Sequence, residues 1–341
     1  MIRVGIFNDS QTLRARLREC LREAEGFQVV LEAEDGRDAA QHVKRTQPDL
    51  VLMDVIMPHV DGYVATREII EAYPLPIVIV TAALNPKDSA VIFRTLATGA
   101  LYVTSPPSVS DKQQTRAFLQ LLRAMVGARP KGTPLLTRPS AGALTSVAPS
   151  LRLSVIAMAA SAGGPQALTE VLSALPRSGL PPILVVQHLA ANFQNSFAAW
   201  LQSSTGHKVV IPVHSQATES GTVYLAGHGK HLEWTGGALT LSPAPPVAHF
   251  RPSATVLLHS LVKERQRALA VILSGMGDDG AEGAVAMHAA GGHVVIQSRS
   301  SAPVWGMPGE VERRGAAHAA LAASEIAQHI LTQCGVRPPT R

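Results

Sequence analysis

Two successive series of short apolar strands, each alternating with amphipathic helical segments, constrain the fold of this 341-residue chain most strongly. From residue 2 to about 126 the strand segments read VGIF, FQVVLEA, LVLMD, PIVIVTA and ALYVT. From residue 154 to about 333 they read SVIAMA, ILVVQ, KVVIPV, TVYLA, ALAVILS and HVVIQ. Such alternation predicts parallel sheets covered by helices on both faces, with functional residues at the carboxyl ends of the strands.

The stretch between the two series predicts a linker. Residues 127–150 are rich in Pro, Gly, Ser and Ala and show no sustained periodicity. We therefore expect an α/β domain with a five-stranded parallel sheet at residues 1–126. A second α/β domain, doubly wound and mainly parallel, is expected at residues 151–335. Within it, LEWTGGALTL predicts an antiparallel hairpin near an edge of the sheet.

Composition excludes several classes of function. The net charge is +5, but the basic residues are scattered and aromatic residues make up only 4%, too few for base-stacking platforms. No uncharged apolar run approaches the ~18–20 residues that span a bilayer. Cys20 and Cys334 are the two cysteines, and they give no disulfide framework. We expect a cytoplasmic protein that neither binds nucleic acid nor inserts into a membrane.

Polar residues follow three strands of the first domain. Asn8 and Asp9 follow the first strand, Asp54 the third and Thr81 the fourth. A carboxylate cluster at the carboxyl edge of a parallel sheet can hold Mg²⁺ through oxygen ligands. The same position allows Asp54 to act as a nucleophile toward a phosphoryl group. The sequence thus predicts an acidic pocket at this edge.

Residues 1–125 resemble the receiver domain of two-component response regulators. The match rests on the acidic turn, on Asp54 with the MPHVDG segment that follows it, on Thr81, and on Tyr102 near the fifth strand. The resemblance implies a flavodoxin-like sheet in which Asp54 is phosphorylated by a histidine kinase. It also implies that Asp9 and Asp54 bind Mg²⁺, and that Thr81 and Tyr102 are switch residues.

Two positions depart from the receiver pattern. Asn8 stands where the family usually has a second acid, and Ser105 stands where it has a lysine. Asn8 removes one negative charge from the metal pocket. Ser105 removes a cation that would bind phosphoryl oxygens by a charge-assisted hydrogen bond, a contact worth roughly 1.5–3 kcal/mol. The alternative is therefore a receiver-shaped domain that no longer accepts phosphate.

Three strands of the second domain lead to the residue types of a serine hydrolase. Ser161 follows SVIAMAA on a tight turn, with Pro165 in the first turn of the next helix. His188 follows ILVVQ, and Asp279 lies after ALAVILS in the segment SGMGDDGAEG. At one sheet edge, His188 would act as the base for Ser161. Asp279 would fix the tautomer of His188 and stabilise its imidazolium.

Two other interpretations of this domain have less support. The segment GMGDDG fits a nucleotide-binding G-x-G-x-x-G pattern. However, the next strand ends in Ser298 and Arg299, where a ribose-binding acid is needed. His228 and His231 have the spacing of a metal pair, without a third ligand at a suitable distance along the chain. We therefore expect no cofactor or metal in the second domain.

The chain as a whole is similar to the chemotaxis protein-glutamate methylesterases. The similarity rests on five motifs and on the order of the domains, in which the receiver-like domain comes first. The motifs are ASAGG at 160–164, QH at 187–188, RPS at 251–253, GMGDDG at 275–280 and GMP at 306–308. It implies that Ser161 attacks a methylated glutamate on a chemoreceptor, with His188 as general base. It further implies deamidation of receptor glutamines, backbone oxyanion donors near Ala162 and Met276, and control by the receiver.

The second domain also departs from its family. Ala162 replaces a common threonine, Asp278 a common asparagine and Thr255 a usual acid, and Ser298-Arg299 stand where acids are common. None of these changes removes a member of the predicted triad. An active-site rim with fewer acidic residues and an added arginine predicts docking to a more acidic partner surface. Two alternatives stay open: a receptor-binding adaptor without turnover, and an esterase freed from phosphate control.

Overall fold

The computed structural model describes residues 1–82, 86–108 (backbone only at 86–90), 111–126, 128 and 153–336. Contacts between Cα atoms divide the chain into two compact units, Met1–Thr133 and Pro134–Arg341. Apart from residue 128, the predicted linker lies outside the described residues. Within the described ranges, no helix has both the length and the apolar character needed to cross a membrane.

The first unit contains the predicted five-stranded parallel sheet, in the order β2-β1-β3-β4-β5. Its strands are β1 (Ile2–Phe7), β2 (Phe27–Ala33), β3 (Leu50–Met53), β4 (Ile77–Val80) and β5 (Tyr102–Thr104). Its helices are α1 (Gln11–Glu23), α2 (Ala39–Thr46), α3 (Gly62–Ala72), α4 (Pro86–Thr98) and α5 (Lys112–Met125). This is the flavodoxin-like order, and the chain changes direction across the sheet between β1 and β3.

Local sequence signals explain where these elements lie. The strands β3 and β4 are uninterrupted apolar tetrapeptides, and all of their residues are buried between helices. Three helices begin at a capping side chain: Ser10 accepts from the N–H of Leu13, Asp61 from Val64, and Asp111 from Gln113 and Gln114. Each cap satisfies backbone donors that have no partner inside the helix.

The second unit contains a seven-stranded parallel sheet, in the order β15-β14-β13-β6-β7-β10-β8. Its strands are β6 (Val155–Ala160), β7 (Ile183–Gln187), β8 (Val209–Val210), β10 (Val223–Leu225), β13 (Ala268–Ile272), β14 (His293–Gln297) and β15 (Ala319–Leu321). Its helices are α6 (Gly164–Ser173), α7 (Gln194–Thr205), α8 (Ala254–Ser260), α9 (Ala281–Ala289), α10 (Met307–Arg313) and α11 (Ala323–Cys334). The doubly wound prediction is confirmed.

The order of these strands reverses beside β6, where a crevice is expected. From β6 the chain moves outward to β7 and to the edge strand β8, places β10 between these two, and then returns to lay β13 on the other side of β6. Open α/β sheets bind their ligands where the strand order reverses in this way, at the carboxyl ends of the strands. The residues that follow β6 and β13 therefore flank the crevice.

The predicted hairpin forms, but it does not extend the main sheet. Strands β11 (His231–Thr235) and β12 (Ala238–Ser242) pair antiparallel, and β9 (Gln216–Ala217) joins them in a separate three-stranded sheet. Leu232, Trp234 and Leu239 are buried in the same core as the main sheet. The hairpin therefore buries one face instead of pairing with an edge strand. The edge strand β8 has only two residues and offers few backbone groups for pairing.

Four histidines meet on one flank of the second unit. The rings of His288 and His318 lie 4.5 Å apart between centroids, and those of His318 and His293 lie 4.6 Å apart. The Nε2 atoms of His293 and His329 are 2.9 Å apart, so the pair shares one hydrogen. Burial, followed by the neighbouring His318 and His329, lowers the pKa of His293 to about 4. At neutral pH His293 is therefore uncharged in the folded protein.

This cluster predicts a loss of stability in acid. Because the pKa of His293 is near 6.5 in the unfolded chain, unfolding takes up a proton as the pH falls from about 6.5 to about 4. We expect this histidine alone to reduce the free energy of unfolding by about 2 kcal/mol over that window, allowing for its partial exposure. Urea unfolding followed by tryptophan fluorescence measures the second unit, since Trp200, Trp234 and Trp305 all lie there.

The control for this prediction is a histidine outside the cluster. His293→Gln should flatten the dependence on pH, while replacement of the exposed His214 by Gln should leave it unchanged. Equal dependence in the two variants would show that the cluster does not carry the effect.

Candidate active site

The three residues of the predicted triad follow three adjacent strands of the second sheet. Ser161 follows β6, His188 follows β7, and Asp279 lies in the loop after β13. Backbone bonds fix the strand ends: the N–H of His188 donates to the carbonyl of Ala160 at 3.0 Å, and that of Ser161 to the carbonyl of Ser274 at 3.0 Å. The sheet therefore delivers all three residues to one edge, at the crevice.

The turn that carries Ser161 is built from close contacts. Gly163 has φ +72° and is the N-cap residue of α6, and a Cβ atom there would lie 2.7 Å from the hydroxyl of Ser274. That hydroxyl donates to the carbonyl of Ala162 at 2.8 Å and accepts from the N–H of Val304 at 3.0 Å. A left-handed conformation and a close approach both require glycine here. The loop after β13 thus braces the serine turn.

His188 and Asp279 form the central contact of the site. The Nε2 atom of His188 lies 2.9 Å from Oδ2 of Asp279, and both side chains are almost completely buried. Burial raises the pKa of the Asp279 carboxyl group. The hydrogen bond and charge of His188 outweigh this effect, together with the hydrogen bonds from Ser253 and Thr255, and the pKa falls to about 2. An ionised carboxylate can only accept hydrogen bonds, so Nε2 of His188 carries the proton.

Three further donors hold the carboxylate of Asp279. Oδ1 accepts from the Ser253 hydroxyl at 2.6 Å and from the N–H of Thr255 at 3.0 Å, and Oδ2 accepts from the N–H of Ala254 at 2.7 Å. These groups lie at the start of α8, where backbone N–H groups have no partner inside the helix. The charge of Asp279 is therefore stabilised on both oxygens. Sequence reasoning quoted Ser253 only within a motif and gave it no role.

The tautomer set by Asp279 leaves Nδ1 of His188 as the basic atom. Among the described residues, this buried nitrogen has no hydrogen-bond partner. The bond from Ser161 to His188 is not formed, although the two residues follow the paired residues Ala160 and Gln187. Catalytic hydrogen bonds commonly tighten only when substrate binds. The site therefore holds a buried, unpaired base near a serine on a tight turn.

The backbone groups proposed for an oxyanion are free to donate. In the part of the chain that the structure describes, the N–H groups of Ala162 and Met276 donate to no protein acceptor. Ala162 is buried, and Met276 is partly exposed in the loop after β13. Two free N–H groups beside a serine are the donors that acyl transfer needs. Their role as an oxyanion hole stays a prediction.

The residues that depart from the family pattern have different roles in the structure. Thr255 is buried, and its hydroxyl accepts from the N–H of Gly280 at 2.7 Å, so it braces the Asp279 loop and does not form part of a rim. Arg299 is exposed, and Asp278 is exposed with a 4.0 Å contact to Arg314. The docking prediction therefore depends on Arg299 and not on the missing acid at residue 255.

His231, one of the two histidines with metal-pair spacing, has a structural role. Its Nδ1 accepts from the N–H of Ser253 at 3.2 Å, and its Nε2 lies 3.0 Å from the carbonyl of Pro245. Both ring nitrogens are engaged by the backbone, so His231 supports the segment that holds Asp279.

The acidic pocket of the first unit brings Asp9, Asp54 and Thr81 together. Asp54, 8% exposed, accepts from the N–H of Val55 at 2.7 Å and from the Thr81 side chain. Burial is the largest cause that raises the pKa of Asp54, and the charge of Asp9 adds to it. Tyr102 lies on β5, and burial raises the pKa of its phenol.

The Asn8 side chain fits Mg²⁺ poorly in this pocket, where Asp9 and Asp54 supply the carboxylates. Nδ2 of Asn8 donates to Oδ2 of Asp54 at 2.6 Å, and Oδ1 of Asn8 accepts from the N–H of Ser10 at 2.9 Å. The amide thus presents a hydrogen-bond donor to the carboxylate, whereas Mg²⁺ requires oxygen ligands.

Comparison with known proteins agrees with both units. Residues 156–330 match the family described as CheB methylesterase, and residues 4–106 match the response regulator receiver domain. The catalytic domain of the Thermotoga maritima CheB methylesterase superposes with a TM-score of 0.51 and 29% identity, over 53% of this chain and 98% of that domain.

Two curated relatives extend the similarity to nearly the full chain. Both are named protein-glutamate methylesterase/protein-glutamine glutaminase. The protein from Myxococcus xanthus is 38% identical, over 96% of each chain. The protein from Anaeromyxobacter dehalogenans is 37% identical, over 97% of this chain and 98% of its own. This chain belongs to the CheB methylesterase family, with a response regulator receiver domain preceding the methylesterase domain.

Proposed function

We propose that this protein hydrolyses γ-methyl esters of glutamate on chemoreceptors, and deamidates receptor glutamines, by a Ser161-His188-Asp279 mechanism. The observation that carries the proposal is the buried hydrogen bond between His188 and the ionised Asp279, which leaves Nδ1 of His188 as a base beside the Ser161 turn. The names of the full-length relatives support the same activity.

The proposed reaction has two acyl-transfer steps. The Ser161 hydroxyl attacks the γ-carbonyl carbon and gives its proton to Nδ1 of His188, while the N–H groups of Ala162 and Met276 stabilise the oxyanion. The imidazolium then protonates the departing methoxide, so methanol leaves and a glutamyl-serine ester remains. Water gives a proton to the same nitrogen, attacks this ester, and releases glutamate and the serine hydroxyl. A glutamine substrate follows the same steps with ammonia as the leaving group.

The support around Asp279 favours an enzyme over an adaptor that binds receptors without turnover. Ser253, Ala254 and Thr255 all donate to this carboxylate, which keeps it ionised in a buried position. A buried charge is costly unless it is fully hydrogen-bonded. Receptor binding alone gives no reason to retain an anion behind a histidine, whereas base catalysis does.

Methanol release from a methylated receptor in ¹⁸O-labelled water tests the proposal. We expect methanol to appear without label and the glutamate product to carry ¹⁸O, because acyl transfer breaks the bond between the carbonyl carbon and the methoxy oxygen. The absence of methanol would refute the esterase. Label in the methanol would refute the acyl-transfer mechanism.

The bond from Asn8 to Asp54 favours a particular form of regulation. The Asn8 amide occupies one carboxylate oxygen as a donor, and Ser105 supplies no cation for a phosphoryl group. We infer that phosphorylation of Asp54 by a histidine kinase is weak in this chain. The receiver domain then controls the esterase by a route other than phosphate, or not at all.

A small phosphodonor tests this form of regulation. With phosphoramidate and Mg²⁺, methanol release by the wild-type protein should change by less than about two-fold, because neither the metal nor the phosphoryl group gains its usual partners. Asp54→Ala should behave in the same way. A several-fold stimulation in wild type that Asp54→Ala abolishes would show that the receiver is switched by phosphate.

A further inference from the structure

An aromatic ring lies flat on the catalytic imidazole. The rings of Phe250 and His188 are 3.9 Å apart between centroids, with only 4° between their planes. His188 is 6% exposed, and part of its cover is this phenyl ring. The proposed reaction uses Phe250 in no step, so its contact with the base needs a separate explanation.

Phe250 is held in place by a tight turn. Val247 and Phe250 exchange backbone hydrogen bonds of 3.1 and 2.8 Å, and the two residues between them, Ala248 and His249, have φ of +47° and +74°. Positive φ is unfavourable for residues other than glycine and persists only where the surrounding structure enforces it. Arg251 adds two bonds of 3.1 Å from its guanidinium to the carbonyls of Pro243 and Ala244.

The same segment contacts both residues of the central pair. Phe250 covers the face of His188, and three residues further along, Ser253 donates to Asp279 at 2.6 Å. A single hydrogen bond to Asp279 fixes one atom of the imidazole, Nε2, but it leaves the ring free to turn about that bond. A flat stack against a second ring fixes the plane. Together the two contacts determine the direction of the lone pair on Nδ1.

We propose that Phe250 is a positioning residue for His188, which fixes the plane of the imidazole so that Nδ1 faces the Ser161 hydroxyl when substrate binds. The proposal rests on the esterase mechanism given above. The face of the phenyl ring also favours the imidazolium that forms during each acyl transfer, because the negative face of an aromatic ring attracts a cation. Loss of the ring therefore slows chemistry and leaves receptor binding unchanged.

The test compares Phe250→Leu, which keeps apolar volume but cannot stack, with Phe250→Tyr, which keeps the stack. We expect Phe250→Leu to lower kcat for methanol release by about 10-fold to 100-fold, the effect of a small misplacement of a catalytic group, with KM unchanged. Phe250→Tyr should retain kcat within about two-fold, because it preserves the flat contact. The thermal midpoint of the second unit, from tryptophan fluorescence, is measured for both variants.

A second readout requires no receptor. Diisopropyl fluorophosphate reacts with an activated serine: a bond forms between Oγ and phosphorus, fluoride leaves, and the serine proton passes to His188. The rate of this labelling should fall in Phe250→Leu by the same factor as kcat. If the protein labels normally but releases no methanol, the proposed substrate is wrong, and the labelling rates alone still decide the role of Phe250.

Three results would overturn the proposal. Wild-type kcat in Phe250→Leu would show that the stack has no role in catalysis. A rise in KM alone, with normal labelling, would make Phe250 a receptor contact. Equal losses of kcat in the leucine and tyrosine variants, each with a lowered thermal midpoint, would assign Phe250 to packing.

Discussion

The Ser161→Ala protein is expected to release methanol from methylated receptor at least about 10⁴-fold more slowly than wild type. Alanine removes the only atom that forms the acyl enzyme, and Nδ1 of His188 then has no serine proton to accept. What remains is a polarised carbonyl and water in the crevice, which gives a small residual rate. Because the receptor still binds, we expect the loss in kcat and not in KM.

The stability of this variant separates chemistry from folding. Among the described residues, no hydrogen bond of the Ser161 side chain is found, so alanine should leave the thermal midpoint near that of wild type. The hydrogen bonds to the backbone of the turn, including the one from the Gln187 side-chain amide to the Ser161 carbonyl at 2.8 Å, are unaffected. Ser178→Ala, at an exposed serine of the same unit, is the matched control. Equal rates in Ser161→Ala and Ser178→Ala would end the serine mechanism.

Strand periodicity predicted the two sheets because a parallel strand buried on both faces is an uninterrupted apolar run. The same criterion missed β15, Ala319–Leu321, whose residues are alanines and one leucine without β-branched side chains. It also did not show that the hairpin forms a sheet of its own. Alternation in LEWTGGALTL indicates two paired strands, but only the packed protein shows that Trp234 and Leu239 bury their face in the core and do not extend the sheet.

The sequence predicted the site residues that follow strands of the sheet. It did not predict those that a loop outside the sheet brings to the same edge. Ser161, His188 and Asp279 each follow a strand, so parallel pairing brings them to one edge. Ser253 and Phe250 reach the same edge from a loop whose path the sequence does not specify. A capping signal exists for Ser253, a serine directly before a helix, but it predicts a helix start and not a bond to Asp279.

The first unit shows how one atom can decide the chemistry of a pocket. From the sequence, Asn8 means one negative charge fewer. The amide could still offer its oxygen to a cation. The bond from the N–H of Ser10 to Oδ1 of Asn8 turns the amide so that Nδ2 faces Asp54. This orientation replaces a ligand by a donor, which is a larger change than the lost charge alone.

The Asp279→Asn variant is expected to lower kcat by about 10⁴, the effect of placing a catalytic histidine in the wrong tautomer. In the wild-type protein, Oδ1 of Asp279 accepts hydrogen bonds from Ser253 and Thr255, and Oδ2 accepts from Ala254 and His188. An asparagine has one acceptor oxygen and one NH₂ group. If the NH₂ group faces His188, Nε2 must accept, the proton moves to Nδ1, and the base for Ser161 is lost.

If the amide has the opposite orientation, its NH₂ group faces the N–H of Thr255, and His188 keeps its tautomer without a negative charge to stabilise the imidazolium. Each orientation leaves a buried backbone donor unmatched, so we expect unfolding free energy to fall by about 1–3 kcal/mol in both cases. ¹⁵N chemical shifts of His188 distinguish the two tautomers. Asp278→Asn, next in sequence but exposed, removes the same charge and should keep kcat within about two-fold, since the carboxylate that bonds to His188 is that of Asp279. Wild-type kcat in Asp279→Asn would mean that His188 needs no carboxylate, and the proposed triad would reduce to a pair.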